Sequence, residues 1–574
     1  MWVLTARGVL MTVATISAPG SVKTHAGMSH PGIDKKWPPC NTSSTMTKNT
    51  FARRAAAVLA ASLLSSSSFA TSWSVLGPRP MGMGGAFVAL AEGPIAQYWN
   101  PAGLAESEGK YGLQVPVGAR VEFTGNVLKN ANALGDLAGK FNEIEAAQRS
   151  GTPGALDADK VAAFYKGLVE ISDLNEPGKG ALVDVAGGGN IRVGRYALSV
   201  NNFTTVGASP FVDTTNIGLG VSAGNTGVSF TGANVAAPAN ATNAASAASI
   251  AGAIGASGYA SLNTLTGGAI AAGGITNASE LGNALVNFAV SGGQTPAQIS
   301  EAAGAIAANA GAAAPIIQNA ASGNPYTNNR TNLTLRGGSF TEVAFGHGRQ
   351  VFLPGLKLGG NLKLIFGSVG YQKFAVLDNN SDTGDTLKDF RANTASSVQP
   401  AVDLGALWHL NQIFPVLPLN PRVGLVARNI NNPKFKQPDL ATSSGEGKFP
   451  LNGQLRSGAA ISPWNFWHVS MDLDLTKNNT PIPGFQSRMW GLGSEVNVFN
   501  RSWINIPLRA GLAKNLAETS SKMSYTVGFG LNFLHFMLDV GGAVSSHRTT
   551  IDSGSSSAKV PSNLSVAAQL GFVF

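Results

Sequence analysis

The sequence predicts an all-β fold, a transmembrane antiparallel β-barrel of about 14 strands, and three observations carry this prediction. In the last eleven residues, Leu564–Phe574, six apolar positions recur with a period of two and the chain ends on an aromatic residue. The same alternation recurs in strand after strand from Thr331 onward. Charged residues make up only 12% of the chain, and no run of 18 apolar residues could form a spanning helix. A barrel with an apolar outer face and a polar lumen accounts for all three.

An export signal is predicted ahead of the barrel. Met46 is a better start than Met1 because a basic segment and the apolar run Ala55–Leu64 follow it. The basic residues of that segment are Lys48, Arg53 and Arg54. The small-residue pattern that ends at Ala70 predicts cleavage after this residue. We therefore interpret residues 1–45 as an upstream extension and 46–70 as the signal peptide, with a genuine long leader as the alternative.

The net charge and the cysteine count exclude several classes of function. Seven of the 40 basic residues lie within residues 1–70 together with one acidic residue, so the remainder carries a net charge of only +3. No nucleic-acid partner is predicted from this balance. Cys40, the only cysteine, lies in the same leader, so the remaining chain has no disulfide, thiolate metal site or Cys nucleophile. We predict no cofactor and no metal site.

The most specific stretch of the sequence is Trp73–Leu104. It contains Gly82, Gly84 and Gly85, which permit close backbone approach and positive φ. Further on, Pro101 pushes Asn100 out of helical space and starts a turn. A phosphate-binding loop would be the competing interpretation, but no Gly-Lys-Ser/Thr follows and no βαβ pattern surrounds the glycines.

This stretch resembles the N-terminal signature of the FadL-like outer-membrane barrel superfamily, which includes fatty-acid and hydrocarbon transporters. The resemblance lies in Gly-Met-Gly-Gly-Ala-Phe-Val-Ala from Gly82 and Trp-Asn-Pro-Ala-Gly-Leu up to Leu104. In the transporters the corresponding segment is a hatch that plugs the lumen, so the resemblance implies a hatch over residues 71–110. The motif residues carried over to it are Gly82, Gly84, Gly85, Asn100, Pro101, Ala102 and Gly103.

A second resemblance covers most of residues 74–574. The stretches Val369–Phe374, Gly424–Phe435 and Gly528–Phe533 look like those of barrel proteins labelled conjugal transfer TraF. The sequence departs from that family in its leader and in its long Ala/Gly-rich insertion. The label implies a role in plasmid transfer or envelope assembly, although the chain lacks the Cys-x-x-Cys pattern of better-known conjugation proteins that share it.

Residues 111–574 are predicted to form the barrel. Upstream strands are expected at Tyr111–Phe123, Leu182–Ala186, Ile191–Phe203 and Asn216–Ser222. Aromatic residues near strand ends are typical of the girdles at membrane interfaces, namely Trp408, Trp464, Trp467, Trp490, Trp503 and Tyr525.

Alternation places ten charged or titratable residues on the lumen face. They are Lys363, Asp403, Arg428, Arg456, His468, Asp472, Asp474, Glu495, Arg509 and Asp539. Because their signs are mixed, neighbouring strands can pair them. Two interpretations stay open, a structural ladder of ion pairs and a polar conduit or ligand site. His468 and Asp472 are too far apart along a strand to form a hydrolase site directly, and we predict no enzymatic activity.

Two insertions interrupt the barrel pattern. Residues 131–173 predict two short amphipathic helices outside the membrane, either as ordinary loop helices or as a docking site for a partner. The Ala/Gly-rich segment 223–328 carries only Glu280 and Glu301 as charges and is expected to be poorly packed or flexible. A capping box of Thr295 and Gln298 predicts a marginal helix to about Asn309 within it. Its position, at a barrel rim or in the lumen, stays open.

A short acidic run, Asp378–Asp385, resembles a calcium loop, but its glycine lies one place late for an EF-hand. We interpret it as an acidic loop tip.

These features predict a protein of the outer membrane of a Gram-negative bacterium. Its expected partners are membrane lipid and the barrel-assembly machinery, which would read the C-terminal strand through Leu570, Phe572 and Phe574. An apolar small-molecule ligand and other envelope proteins are further possible partners. Two functions stay open: a component of envelope or plasmid-transfer assembly, and a passive transporter of hydrophobic compounds.

Overall fold

The computed structural model describes residues 72–106, 111–125, 177–213, 230–304, 330–375, 383–553 and 556–574, with a few isolated positions between them. The predicted leader, the helical segment 131–173, residues 217–222 of a predicted strand and the start of the acidic run at 378 lie outside the described residues.

Fourteen antiparallel strands form one closed barrel, which confirms the predicted fold class and strand number. Each strand pairs with the next along the chain, and the last pairs with the first. The strands are β1 Tyr111–Thr124, β2 Gly180–Val193, β3 Tyr196–Phe211, β4 Asn332–Gln350, β5 Leu356–Ala375, β6 Thr394–His409, β7 Arg422–Arg428, β8 Gln454–Trp464, β9 Trp467–Asp474, β10 Met489–Asn497, β11 Pro507–Asn515, β12 Ser524–Phe533, β13 Phe536–Ser545 and β14 Asn563–Val573.

The C-terminal strand closes the barrel as its alternation predicts. In β14, Leu570 lies opposite Val115 of β1 on one side and Leu538 of β13 on the other. Leu570 is 50% exposed and Phe572 46%, whereas their inward neighbour Gln569 is 4% exposed. Exposed apolar side chains of this kind cover the outside of every long strand, as contact with lipid would require.

The barrel has two unlike rims. Tight turns such as 194–195, 465–466 and 534–535 lie at one end together with both ends of the barrel sequence, and we call this end the short-turn rim. The long connections, which join residues 124 to 180, 211 to 332, 428 to 454 and 474 to 489 among others, leave and re-enter the barrel at the other end, the long-loop rim. The predicted girdle residues divide between the two, with Trp464 and Trp467 at the short-turn rim and Tyr525 at the long-loop rim.

The Ala/Gly-rich insertion leaves the barrel at the long-loop rim and is better packed than its composition suggests. Its helices are Ala241–Leu265, Ala269–Ala272, Ala278–Ser291 and a further one from 296 to 304. Ile250 and Val286 lie in one small apolar cluster and Ile275 and Leu281 in another, and both clusters contain only residues of the insertion. The expectation of a poorly packed segment is therefore wrong for the described part. Scattered Ile, Leu and Val side chains at helical spacing suffice to bury a small core.

The predicted helix start in this insertion forms as expected. Gln298 Oε1 accepts a hydrogen bond from the Thr295 N–H at 2.9 Å, and Thr295 Oγ1 accepts one from the Gln298 N–H at 3.4 Å.

Two strand predictions need correction. The strand expected over Ile191–Phe203 is split by a turn at residues 194–195, where Gly194 has φ of +59°. Apolar residues alternate on both sides of this turn, so the pattern alone conceals it. The second is the downstream alternation of Ile504, Ile506, Leu508 and Leu512, which predicts one strand but is interrupted at Ile506. Ile504 pairs with Phe533 of β12, and β11 begins only at Pro507.

The remaining elements are short. They are the helices Pro78–Gly82, Ala96–Trp99, Thr383–Ala392 and Asp439–Ser443, the 3-10 helices Pro101–Ala105 and Leu410–Gln412, and the paired strands Lys434–Phe435 with Phe449–Pro450, Asn478–Asn479 with Gln486–Ser487, and Arg548–Ser553 with Ser556–Pro561. Among the described helices, none combines the length and the apolar character needed to cross a bilayer.

Candidate functional site

Residues 72–106, which we call the hatch, lie inside the barrel and fill its lumen. Trp73, Phe87 and Trp99 are at most 1% exposed. Trp99 is the centre of this aromatic core, with its ring centroid 6.3 Å from that of Trp73 and 6.0 Å from that of Phe87. Tyr98 extends the core to the wall by stacking on Phe203 of β3, with the ring centroids 5.1 Å apart. The hatch is thus a packed plug with a core of its own.

The hatch backbone lies directly on the barrel wall through a belt of inward-facing glycines. At Gly84, φ is +67°, and a Cβ there would lie 2.2 Å from the carbonyl oxygen of Leu512 in β11. Conversely, a Cβ at Gly491 in β10 would lie 2.1 Å from the carbonyl oxygen of Gly84. Only glycine permits so close an approach. The described wall positions at which a Cβ would collide with the hatch, which we call the glycine seat, are Gly346, Gly348, Gly359, Gly405, Gly424, Gly458, Gly491, Gly493, Gly511 and Gly541.

The hydrogen bonds of the Asn100 side chain explain why asparagine precedes Pro101 in the hatch. Its side-chain oxygen accepts a hydrogen bond from the Ala102 N–H at 3.1 Å and so caps the 3-10 helix that Pro101 begins. Its amide nitrogen donates to the carbonyl oxygens of Val88 at 3.1 Å and of Ala406 in β6 at 3.0 Å. One fully buried side chain therefore joins two parts of the hatch to the wall.

Gly103 and Gly82 lie where the hatch is most crowded. A Cβ at Gly103 would lie 2.2 Å from the Ala91 carbonyl oxygen, within the hatch itself. A Cβ at Gly82 would lie 2.9 Å from Cα of Gly528 in β12. By contrast, Gly85 has φ of +82° and its nearest neighbour atom would be 4.0 Å from a Cβ, so its conformation rather than space selects glycine there.

An arginine of the hatch enters a network of charges on the wall. Arg79 donates from Nε and Nη2 to the two carboxylate oxygens of Glu495 in β10, each at 2.8 Å. Glu495 also accepts a hydrogen bond from Arg509 of β11 at 2.6 Å. Arg509 in turn donates to Asp539 of β13 at 2.6 Å. Three wall strands and the hatch are connected by this chain of paired charges.

Asp472 of β9 holds the hatch backbone. Its Oδ2 accepts hydrogen bonds from the N–H groups of Phe87 at 2.8 Å and Val88 at 2.9 Å. Its neighbour Asp474 pairs instead with Arg456 of β8, at 2.6 Å. The carboxylate of Asp472 therefore acts as a clamp on the hatch rather than as a partner of a wall arginine.

Two wall arginines lie between acidic groups and the aromatic core of the hatch. The Arg428 guanidinium carbon is 4.1 Å from the ring centroid of Tyr98, and its Nη2 donates to Glu342 of β4 at 3.0 Å. Arg456 lies 4.4 Å from the ring centroid of Trp73. Cation–π contact in a desolvated lumen strengthens the attachment of the hatch. Lys363 completes this group, with ion pairs to Asp403 at 3.0 Å and to Glu342 at 3.2 Å.

Glu106 fastens the end of the hatch at the short-turn rim. It accepts hydrogen bonds from Lys357 at 2.6 Å and from Nε2 of His409 at 2.5 Å. Burial acts to raise the pKa of Glu106, but the hydrogen bonds and charges of His409 and Lys357 outweigh burial and lower this pKa from 4.5 to about 2. The carboxylate is ionised throughout the physiological range.

A cavity of about 80 Å³ lies beside the hatch, toward the long-loop rim. Its lining is mostly apolar and includes Trp73, Val75, Met81, Ala186 and Ala513, with Arg120 and Asp184 among its polar residues.

Two long-rim connections fold inward above the hatch. Phe435 and Phe449 pack on Phe340, with ring centroids 5.1 and 5.5 Å away. In the connection between β9 and β10, Ile482 and Phe485 cluster with Leu182 of β2. The lumen is therefore narrowed on the side of the hatch that faces the long-loop rim.

Nine of the ten residues predicted to face the lumen are at most 6% exposed, and His468 is half-buried. Arg509, Glu495 and Asp539 come together in one group, and Lys363, Asp403 and Arg428 lie together in another, while Arg456 pairs with Asp474. His468 joins neither group, since its Nδ1 is bonded to Ser462 Oγ at 2.8 Å.

Sequence reasoning missed six charged residues of the site, and it missed the glycine seat. The six are Arg79, Glu106, Arg120, Asp184, Glu342 and Lys357. Glu342 and Lys357 occupy inward positions of β4 and β5 and could have been found from alternation. The seat glycines recur at inward positions of successive strands, which is a visible signal once a plug is assumed. Arg79 and Glu106 have no periodic signal because the hatch is irregular.

The closed wall, the apolar exterior and the packed lumen define a plugged β-barrel of the transmembrane type. The chain belongs to the family described as the TraF protein of the F plasmid transfer operon, whose family model matches residues 97–474, more than half of the sequence.

Several solved structures are similar to this chain at low sequence identity. The CymD monoaromatic hydrocarbon channel has 10% identity and a TM-score of 0.36, with 88% of this chain and 99% of that chain covered. The toluene transporter TbuX of Ralstonia pickettii has 11% identity and a TM-score of 0.36, with 87% and 98% covered. A FadL homologue of Pseudomonas aeruginosa has 7% identity and a TM-score of 0.36, with 88% and 99% covered. A comparison with curated protein sequences finds no match.

Proposed function

We propose that this protein is a non-enzymatic outer-membrane barrel of a Gram-negative bacterium that serves, as a permanently plugged component, in envelope or plasmid-transfer assembly. The observation that carries the proposal is the number of independent attachments of the hatch. Glu495, Asp472 and the glycine seat hold it from separate strands. A plug held by desolvated ion pairs and by backbone contact would move only at a large free-energy cost. The family membership supports the assembly role.

The proposal includes an orientation and a route of export. Short turns face the periplasm and long loops the exterior in barrels of this type. The insertion 230–304 would then project outward and offer a surface to envelope partners. Cleavage after Ala70 would give a mature chain that starts at Thr71, with the hatch as its first segment. The assembly machinery would recognise β14 through Leu570, Phe572 and Phe574.

A passive transporter of small apolar compounds is the second candidate. The specific observation in its favour is the largely apolar cavity beside Trp73. At about 80 Å³ this cavity holds a small molecule only if the hatch shifts. The two functions therefore differ in one physical requirement, movement of the hatch.

An engineered disulfide between the hatch and the wall tests that requirement. A Cβ placed on Gly458 lies 2.9 Å from Cβ of Val88 and closer still to Asp472 Oδ1, so the hatch and the Asp472 side chain must shift before a cysteine pair reaches the usual Cβ separation of about 3.8 Å. This shift is present in both redox states of the variant. The predicted mature chain has no other cysteine, because Cys40 lies in the leader. The Val88→Cys/Gly458→Cys variant can then be compared with itself, oxidised and reduced, which keeps the substitutions constant.

Two quantities are measured in deletion strains complemented with this variant: uptake of labelled toluene and plasmid transfer frequency. A plugged assembly component predicts a transfer frequency that falls on deletion, recovers with the variant and is the same in both redox states, with uptake unaffected. Uptake that stops on oxidation and returns on reduction would establish the transporter instead. The single variants Val88→Cys and Gly458→Cys control for redox effects on the cells.

A further inference from the structure

A second pocket opens at the short-turn rim, apart from the aromatic core of the hatch. Its volume is about 420 Å³, within the range of small-molecule sites. Four consecutive strands supply the wall with His409 of β6, Arg422 of β7, Ser462 of β8 and His468 of β9. The adjoining turns add the amide side chains Asn411, Gln412, Asn420 and Asn465. The lining contains a cation and many hydrogen-bonding groups and includes no carboxylate.

The charges around this pocket leave Arg422 uncompensated. Arg422 lies directly opposite His409 in the register of β6 and β7. The nearby acidic groups have other cationic partners: Glu106 is bound to Lys357 and His409, Glu495 to Arg79 and Arg509, and Glu92 to Arg79. Among the described residues, no acceptor bonds the buried Nε of Arg422. A guanidinium in this position favours an oxyanion, which it can bind through two parallel hydrogen bonds.

The pocket also holds a buried acceptor without a donor. Asn411 uses its amide nitrogen to bond Asn420 at 2.9 Å, while its side-chain oxygen is buried and makes no hydrogen bond within the described part of the chain. A buried orphan acceptor is costly unless a hydroxyl or N–H group satisfies it. A ligand that carries both an oxyanion and a hydroxyl would satisfy Arg422 and, once the Asn411 side chain turns its buried oxygen toward the pocket, Asn411 as well.

We propose that this pocket binds a phosphate ester that bears a hydroxyl group, the chemistry of a glycerol phosphate. Arg422 holds the phosphate oxygens, His468 and the turn amides donate further hydrogen bonds, and Asn411 accepts one from the hydroxyl. Two sources share this chemistry, a free metabolite and the headgroup of a lipid in the leaflet next to the short-turn rim. The site is independent of both functions considered above, since it requires only the folded barrel.

Equilibrium binding to the full chain in an uncharged detergent tests the proposal. The probes are glycerol 3-phosphate and dihexanoyl phosphatidylglycerol, with glycerol and a phosphatidylcholine of the same chain length as uncharged and zwitterionic controls. Saturable binding of at least one anionic probe is expected. Arg422→Gln should weaken it by about tenfold or more, because the charged hydrogen-bond donor is lost. Asn411→Asp, which keeps the size of the side chain, should weaken it comparably through repulsion of the anion.

Arg349→Gln is the matched control, because Arg349 lies exposed at the same rim in β4 and outside the pocket. It removes the same charge and should leave binding unchanged. Circular dichroism verifies that each variant is folded. Tight binding of the lipid alone identifies a headgroup site, and equal binding of both probes identifies a site for the free ester. The proposal is wrong if neither probe saturates, or if Arg349→Gln weakens binding as much as Arg422→Gln does.

Discussion

Arg79 of the hatch and Glu495 of β10 form a two-point ion pair, with both hydrogen bonds 2.8 Å long, across 416 positions of sequence. Both oxygens of the Glu495 carboxylate accept a hydrogen bond from Arg79, and Arg509 of the wall donates to the same carboxylate. The position of the hatch is therefore fixed by a charge that the wall strands already hold in place.

Replacement of Glu495 tests this linkage. Glu495→Gln removes the buried anion that Arg79 and Arg509 share, while Arg79 keeps Glu92 and Arg509 keeps Asp539. We therefore expect a loss in the free energy of unfolding at the lower end of the about 3–5 kcal/mol that a broken buried ion pair costs. Arg79→Gln should cost less, since Glu495 keeps Arg509. Urea unfolding of both single variants and of the double variant gives the coupling energy. Additive effects in this cycle would show that the two side chains do not interact.

Close contact between the hatch and the glycine seat predicts that one added methyl group strongly lowers the free energy of unfolding. Gly84→Ala places a Cβ 2.2 Å from the Leu512 carbonyl oxygen at a positive φ, so the hatch must lift from β11. We expect a destabilisation of about 3 kcal/mol or more, measured as the loss of unfolding free energy.

Gly189→Ala in β2 is the control for this substitution, because a Cβ there meets no atom within 4 Å. Its effect should stay within about 0.5 kcal/mol. Limited proteolysis adds a second readout, since a lifted hatch exposes its backbone. Equal resistance of the Gly84→Ala variant and the unaltered protein to the protease would contradict the close contact between Gly84 and β11.

Substitution of Asp472 distinguishes between two roles of the charged lumen residues, a structural clamp on the hatch and a polar conduit. In Asp472→Asn the side-chain oxygen still accepts hydrogen bonds from the Phe87 and Val88 N–H groups, but these bonds lose the strength that the charge gives them. A clamp predicts a lower unfolding free energy, by about 1–3 kcal/mol, with little change in ion conductance across planar bilayers. Arg509→Gln should behave in the same way. A large rise in conductance with unchanged stability would favour the conduit.

The wall of this protein could be predicted from sequence, and the plug could be predicted only in part. Strand alternation identifies Lys363, Asp403 and Arg509 as inward residues because a period of two is a property of one strand. The pairing of charges depends on the closed barrel and not on any single strand. The ion pair between Arg79 and Glu495 therefore leaves no local signal in the sequence. The turn at Gly194 was not predicted for a related reason, because apolar residues alternate on both sides of it.

Glu106 predicts a dependence of hatch stability on pH. Its pKa is lowered from 4.5 to about 2, so the carboxylate stabilises the folded state fully above pH 4.5, and this contribution is lost as the pH falls through about 2. The shift corresponds to stabilisation on the order of 3 kcal/mol at neutral pH. We expect Glu106→Gln to lower the unfolding free energy at pH 6, and we expect this loss to shrink progressively between pH 4.5 and 2.

Glu301→Gln, in the exposed insertion, is the control and should leave the unfolding free energy unchanged at every pH. The difference in unfolding free energy between the Glu106→Gln variant and the unaltered protein could instead stay constant down to pH 2. Glu106 would then not stabilise the hatch through its charge.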